Sequence, residues 1–145
     1  MSLTLTIMPD FGGAFCWAIR GDAETYGGVG GCYGLPMIRK GMRMREHPLQ
    51  AEFEEWQNEF ERAWNGCDPL KLDWRLFHAE GISLARRLKS SLGDSVRVIY
   101  EKPFDDELHE MWERREVMLD GYLMDLPNRR QVNAAAKVAR EQLTA

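Results

Sequence analysis

Two consecutive segments in the middle of the chain decide the fold, and they have the sequences PLQAEFEEWQNEFERAWNG (residues 48–66) and DWRLFHAEGISLARRLKSSLG (residues 73–93). In the first segment, apolar side chains recur at steps of three and four residues. They are Leu49, Phe53, Trp56, Phe60 and Trp64. Such a stripe is typical of one face of an amphipathic helix. Because Pro48 suits a first turn and Gly66 an end, we expect a helix near residues 48–65.

The second segment predicts a longer helix in which both ends are marked. Asp73 is a good N-cap residue, and Gly93 fits the position just after the last turn. Between them, apolar or small residues recur at helical spacing. They are Trp74, Phe77, Gly81, Leu84, Leu88 and Leu92. Cationic side chains crowd the last turns, where they interact favourably with the helix dipole.

The flanking sequence predicts strands before and after this helix pair. Residues 4–8 and 14–19 have the character of two short strands, joined by a turn at residues 9–13 that contains proline and two glycines. We therefore expect an N-terminal hairpin. Residues 95–100 alternate apolar and polar side chains, which predicts a further strand.

Two more helices are expected in the C-terminal third of the chain. Asp105 or Asp106 would cap the first of them, which runs to about Leu119, although its last three residues also suit a short strand. Asn128 would cap the terminal helix, whose apolar face consists mainly of small residues and ends at Leu143.

The order of these elements predicts an α+β fold, with N-terminal antiparallel strands, two strong amphipathic helices, a further strand and C-terminal helices. The length of 145 residues fits a single globular domain over residues 1–145. Three cysteines at irregular spacing form no disulfide framework and favour a reducing cytoplasm. We see no secretory leader and no apolar run long enough to span a bilayer, so we expect a cytoplasmic protein without membrane contact.

The net charge of −4 conceals an uneven distribution along the chain. Residues 48–66 hold five acidic and one basic side chain, and residues 94–126 hold ten acidic and four basic. One interpretation is solvated helix faces. The other is a surface that binds a basic partner protein, because complementary fields speed association and select partners. The candidate partner-binding residues are Glu52, Glu55, Glu59, Asp105, Asp106 and Glu110.

Other classes of function find less support in the sequence. Nucleic-acid binding is disfavoured by the negative charge, and the basic stretches at residues 39–45 and 129–130 lack interleaved aromatic residues. No Cys or His spacing suits zinc, so we expect no metal and no cofactor. The glycine-rich stretch at residues 26–36 misses the dinucleotide pattern, because its third glycine comes one residue late and no helix opens there. It suits a loop or a bulged strand edge.

An enzyme is the main alternative to a binding module. It would use a pocket near the glycine-rich stretch, with Cys32 or His78 contributing. However, His78 lies beside the apolar stripe of the second helix, where a boundary histidine that hydrogen-bonds its surroundings is the more ordinary interpretation. No catalytic motif is present, so we predict a non-enzymatic protein.

The chain resembles the immunity proteins of bacterial toxin–immunity pairs. The resemblance is one of class: a small, acidic, cytosolic α+β domain with acid clusters at residues 52–61 and 105–116 and no catalytic motif. It implies binding to a toxin domain, often a basic nuclease, and blockage of its active site. Phage-borne inhibitors share this profile, and a structural or oligomerising domain is a further alternative.

Overall fold

The computed structural model describes the chain over residues 3–9, 15–20, 30–32, 48–65, 72–103, 106, 112–128 and 137–143. In chain order, its elements are β1 (Leu3–Ile7), β2 (Cys16–Arg20), β3 (Gly30–Cys32), α1 (Gln50–Asn65), α2 (Trp74–Leu92), β4 (Val96–Glu101), β5 (Arg114–Val117) and β6 (Leu123–Leu126). A further helical segment, α3, covers residues 137–143. The mixture of helices and strands without regular alternation confirms the predicted α+β class.

The strands that the structure describes form one six-stranded sheet in the order β3-β2-β1-β4-β5-β6. Neighbouring strands run antiparallel except at the centre, where β1 and β4 are parallel. The predicted N-terminal hairpin is confirmed, because β1 and β2 pair with Leu5 opposite Ala18. A parallel pair needs a long crossover connection. Both α1 and α2 lie in the connection that leads to β4.

Both strong helices occur where the sequence predicts them. The Asp73 side chain accepts a hydrogen bond from the backbone N–H of Leu76 at 3.2 Å, and Gly93 adopts a φ of 77° after the last turn. The two apolar stripes face the sheet. The shared core includes Phe53, Trp56 and Phe60 from α1, Phe77, Leu84 and Leu88 from α2, and Leu5, Ile7, Val98 and Tyr100 from β1 and β4.

Gly81 marks a close approach of α2 to its neighbours. A β-carbon at this position would lie 2.6 Å from Cζ2 of Trp56 and 2.6 Å from Cε2 of Tyr100. Trp56 in turn stacks on Phe77 with ring centroids 4.6 Å apart, and its indole N–H donates to the Phe77 carbonyl at 2.9 Å. The missing side chain at Gly81 therefore lets α2 contact both α1 and β4.

The opposite face of the sheet carries two ion pairs, one fully buried and one partly buried. Glu101 and Arg114 are each 1% exposed, and Arg114 Nε lies 3.0 Å from Glu101 Oε1. On the same face, Arg97 donates to Glu116 at 2.8 Å. Since alternate residues of a strand point to opposite faces, β4 packs Val98 and Tyr100 toward the helices and directs its charged side chains away from them.

The helix predicted from Asp105 or Asp106 to Leu119 is wrong in its second half. Arg114–Val117 is strand β5, which pairs with β4 and β6, so the short-strand alternative is nearer to the structure. Helical spacing of a few apolar residues misled the prediction, because charged partners on β4 let Arg114 and Glu116 be buried in a strand. Residues 107–111 lie outside the described part of the chain.

The structure describes only part of the glycine-rich stretch and only part of the predicted terminal helix. Gly30–Cys32 forms β3 at one edge of the sheet, in keeping with the strand-edge interpretation, and the remainder of residues 26–36 lies outside the described ranges. The terminal helix expected from Asn128 is helical over 137–143, where every residue is exposed. Residues 129–136 also lie outside those ranges.

Candidate functional site

A groove of about 410 Å³ runs along the surface between α1 and α2. Its lining residues are Glu52, Glu55, Trp56, Glu59, Ala79, Glu80, Ser83 and Leu84. We call it the acidic groove after its four glutamates. On α1 the three glutamates are spaced by three and four residues, so they share one helical face beside the buried stripe. On α2, Glu80 lies next to Gly81, at the point where the helices approach.

Two acidic side chains meet across the acidic groove. The carboxyl groups of Glu59 and Glu80 are within hydrogen-bonding reach of one another. Partial burial and the nearby Glu80 carboxylate raise the pKa of Glu59, and Glu55 adds to the effect, while Arg62 opposes it. Two like charges therefore lie close together at this point of the acidic groove.

Cations of the same chain lie at the margins of the acidic groove. Arg87 on α2 is 2.8 Å from Glu52, in a pair whose side chains are 53% and 49% exposed. Such an exposed pair contributes about 0–1 kcal/mol of stability and is easily exchanged for another partner. The floor is apolar, because Trp56 and Leu84 are buried there. The groove can thus take a cationic side chain whose methylene stem packs on an apolar floor.

Three of the six predicted partner-binding acids come together in this groove, namely Glu52, Glu55 and Glu59. Asp106 does not join them: it is 4% exposed, and its carboxylate lies against His78. Its predicted place on an exposed acidic surface is therefore wrong, because a buried carboxylate with a partner inside the fold is shielded from other proteins. Asp105 and Glu110 lie outside the residues that the structure describes.

A second polar cluster lies inside the molecule, centred on His78. Its Nδ1 is 2.7 Å from the Tyr100 hydroxyl, and its Nε2 is 2.7 Å from Asp106 Oδ2. Trp74 stacks on the imidazole ring, and Trp112 approaches it edge-on. Burial, with a smaller effect from the Asp106 charge, raises the pKa of Tyr100 well above its usual value of 10.0. The predicted hydrogen bonding of His78 is confirmed, but the residue is buried and does not lie at the boundary of the core.

A pocket that joins Cys32 and His78 would support the enzyme alternative, but the structure does not bring the two residues together. Cys32 belongs to β3 at the edge of the sheet, whereas His78 lies on α2 against Tyr100 of β4. In the strand order, β3 and β4 are three spacings apart, which is roughly 14 Å at about 4.8 Å per spacing. The part of the chain that is described also holds no group of three or more His, Cys, Asp or Glu arranged to bind a metal ion.

No sequence pattern pointed directly to the α2 side of the acidic groove. Glu80 is a lone acid between two small residues, Ala79 and Gly81, in a helix with more basic than acidic side chains. Small residues beside an apolar stripe indicate close packing. Which helix packs there is decided by tertiary structure, so the pairing of Glu80 with Glu59 was not predicted.

Comparisons with other proteins add no family assignment. Over the described ranges, no helix has both the length and the apolar character that crossing a bilayer requires. No protein-family model matches the chain, and searches of curated proteins and of solved structures likewise find no match.

Proposed function

We propose that this chain is a non-enzymatic inhibitor that binds a basic protein through the acidic groove. In its most specific form, the proposal is a cytoplasmic immunity protein that neutralises a basic bacterial toxin domain, such as a nuclease. The observation that carries it is the meeting of Glu59 and Glu80 across an open groove. Like charges held together on a surface lower stability, and a cationic partner would offset their repulsion.

The remaining features of the groove support the same kind of partner. Glu52 and Glu55 are exposed on the α1 side of the groove. Charges arranged in this way steer a basic protein during diffusion, and they raise association rates most strongly at low salt. Trp56 and Leu84 are buried beneath the groove and hold the two helices that carry these acids together.

The rigid setting of the groove also suits a preformed binding surface. α1 and α2 share the aromatic core under the groove, with Trp56 stacked on Phe77 and hydrogen-bonded to its carbonyl. A surface that keeps its shape pays less conformational entropy on binding. The acids therefore need little reorganisation to meet a partner.

Neutralisation in cells tests the proposal. The product of a gene adjacent to this one should be toxic when expressed alone in a bacterial host, and co-expression of the wild-type chain should relieve the toxicity. The variant Glu55→Lys/Glu59→Lys should fail to protect while remaining soluble and folded. A matched variant that reverses two exposed acids elsewhere, Asp94→Lys/Asp120→Lys, should protect as well as the wild type.

Two outcomes would overturn this function. Full protection by Glu55→Lys/Glu59→Lys would show that the groove is not the binding surface. An adjacent product that is neither toxic nor bound by the chain would remove the immunity role.

A further inference from the structure

Strand β6 lies at one end of the six-stranded sheet, and within the described ranges no strand pairs with its outer edge. A hydrogen bond from the Met118 N–H to the Tyr122 carbonyl fixes which backbone groups of β6 point inward. Because hydrogen-bonded pairs alternate along antiparallel strands, Leu123 and Asp125 direct their N–H and C=O groups away from β5. An edge of this kind is a template for another strand.

The side chains of β6 do little to protect this edge. Sheet edges are commonly guarded by charged side chains, prolines or bulges. The charged residue of β6 is Asp125, and Arg115 of β5 already holds its carboxylate at 2.6 Å. Tyr122, Met124 and Leu126 alternate along the strand and so share one face, where Tyr122 is 66% and Met124 39% exposed. The edge therefore combines outward backbone groups with an exposed apolar row.

We propose that a second copy of the chain adds its own β6 to this edge, antiparallel about a two-fold axis at Met124. In this register, Leu123 of each copy lies opposite Asp125 of the other, and each of these pairs exchanges both N–H···O bonds. Met124 then faces its own counterpart, and Tyr122 faces Leu126. The two six-stranded sheets form one continuous sheet, and the contact closes on itself, as an isologous dimer requires.

The residues of β6 favour a second copy, because the strand is complementary to itself in this one register. About Met124, each pair on the exposed face is apolar, and the two Asp125 carboxylates are only diagonal neighbours, roughly 7–8 Å apart. Each carboxylate also keeps its own Arg115. An axis at Asp125 would set the two carboxylates directly opposite each other. It would also pair Leu123 with Pro127, which has no N–H to donate.

This dimer is independent of the proposed function, because no residue of β6 lines the acidic groove. Strand pairing over residues 122–126 gives a small interface, so we expect a weak dimer whose population depends on concentration. Backbone hydrogen bonds and apolar contacts carry the association. It should therefore persist at about 1 M salt, where the screening length is roughly 3 Å.

Sedimentation of the purified chain over a range of concentrations tests the dimer. We expect a reversible monomer–dimer equilibrium below about 1 mM. Met124→Lys sets two cations opposite each other on the axis and should weaken association at least tenfold. Leu76→Lys, a matched change at an exposed position of α2, should associate like the wild type, and so should Glu55→Lys/Glu59→Lys in the acidic groove. A wild-type chain that stays monomeric at about 1 mM, or a Met124→Lys variant that associates like wild type, would overturn the inference.

Two further experiments test the position of the axis. Mixing Met124→Lys with Met124→Glu should give a one-to-one heterodimer although neither variant self-associates, because the axis then joins opposite charges. Met124→Cys should form a disulfide between copies under mild oxidation, since opposed residues of a non-hydrogen-bonded pair have Cα atoms about 4.5 Å apart. Tyr122→Cys should not, because four residues of offset separate its two copies. A mixture that stays monomeric would overturn the inference, as would equal cross-linking of the two cysteine variants.

Discussion

The carboxyl groups of Glu59 on α1 and Glu80 on α2 face each other within hydrogen-bonding reach across the acidic groove. A hydrogen bond between two carboxyl groups needs one proton between them, so ionising both sets two like charges against each other. At neutral pH the pair therefore works against the stability of the helix packing beneath it. Surface charges that oppose stability are a common feature of binding sites.

The substitution Glu59→Gln removes one charge from this pair and keeps the shape of the side chain. Because the pKa of Glu59 is raised in the folded chain, we expect the variant to be more stable at pH 7, by about 0.5 kcal/mol for so exposed a pair. The folded state holds its proton to a higher pH than the unfolded state, so this gain should disappear below about pH 4. Urea unfolding at the two pH values measures both effects.

A matched control for this measurement is Glu61→Gln on the same helix, outside the groove. It should change stability by less than Glu59→Gln at neutral pH. A loss of stability in Glu59→Gln at pH 7 would contradict our account of the pair.

Gly81→Ala tests the close packing of α2. The added β-carbon would lie 2.6 Å from atoms of both Trp56 and Tyr100, so one of the two rings must move. We expect a loss of about 1–3 kcal/mol from overpacking, even though alanine favours a helix by about 1 kcal/mol over glycine. Thermal unfolding measures the change, and Ser83→Ala on an exposed position of α2 is the control. Equal stability of Gly81→Ala and wild type would show that α2 packs less closely against Trp56 and Tyr100 than the structure indicates.

Tyr100→Phe tests the buried cluster around His78. The substitution removes the hydroxyl that lies 2.7 Å from His78 Nδ1 and leaves that nitrogen buried, which should lower the free energy of unfolding by about 1–3 kcal/mol. Since the pKa of Tyr100 is raised by folding, the unfolded chain ionises first, and wild-type stability should fall above about pH 10. The variant should lose less stability there. Tyr122→Phe, at a 66% exposed position, is the control, and identical behaviour of the two variants would contradict the prediction.

Arg114→Met tests the ion pair on the opposite face of the sheet. It leaves the Glu101 carboxylate buried without its cation, which typically costs about 3–5 kcal/mol. The double variant Glu101→Gln/Arg114→Met should recover part of that loss, because it removes the uncompensated charge. Arg87→Met, which breaks only the exposed pair with Glu52, should cost at most about 1 kcal/mol. Denaturant unfolding of the three variants decides the matter: similar losses for Arg87→Met and Arg114→Met would count against a buried pair.

The parts of the fold that local patterns specify were predicted well. α1 and α2 carry long apolar stripes with marked ends, and Val96–Glu101 alternates as a strand should. β5 was mistaken for part of a helix because its pattern is charged: Arg114 and Glu116 are buried together with ion-pair partners on β4. No single-segment pattern can show a partner that lies on another strand.

The α1 side of the acidic groove could be predicted from the sequence, whereas its α2 side could not, because that side depends on long-range packing. Helical spacing placed Glu52, Glu55 and Glu59 on one exposed face of α1, as the structure has them. The contribution of Glu80 depends on how α2 packs against α1, and the burial of Asp106 depends on His78. Both are long-range contacts, which composition and spacing do not contain.

The binding constant for a basic partner tests the central claim most directly. Titration calorimetry should compare wild type, Glu55→Lys/Glu59→Lys and the control Asp94→Lys/Asp120→Lys against the purified product of the adjacent gene, after circular dichroism has shown that all three are folded. We predict that reversal in the acidic groove raises Kd at least tenfold, which is about 1.4 kcal/mol, and that the control leaves Kd unchanged. Equal affinity of the groove variant and the wild type would contradict the proposal.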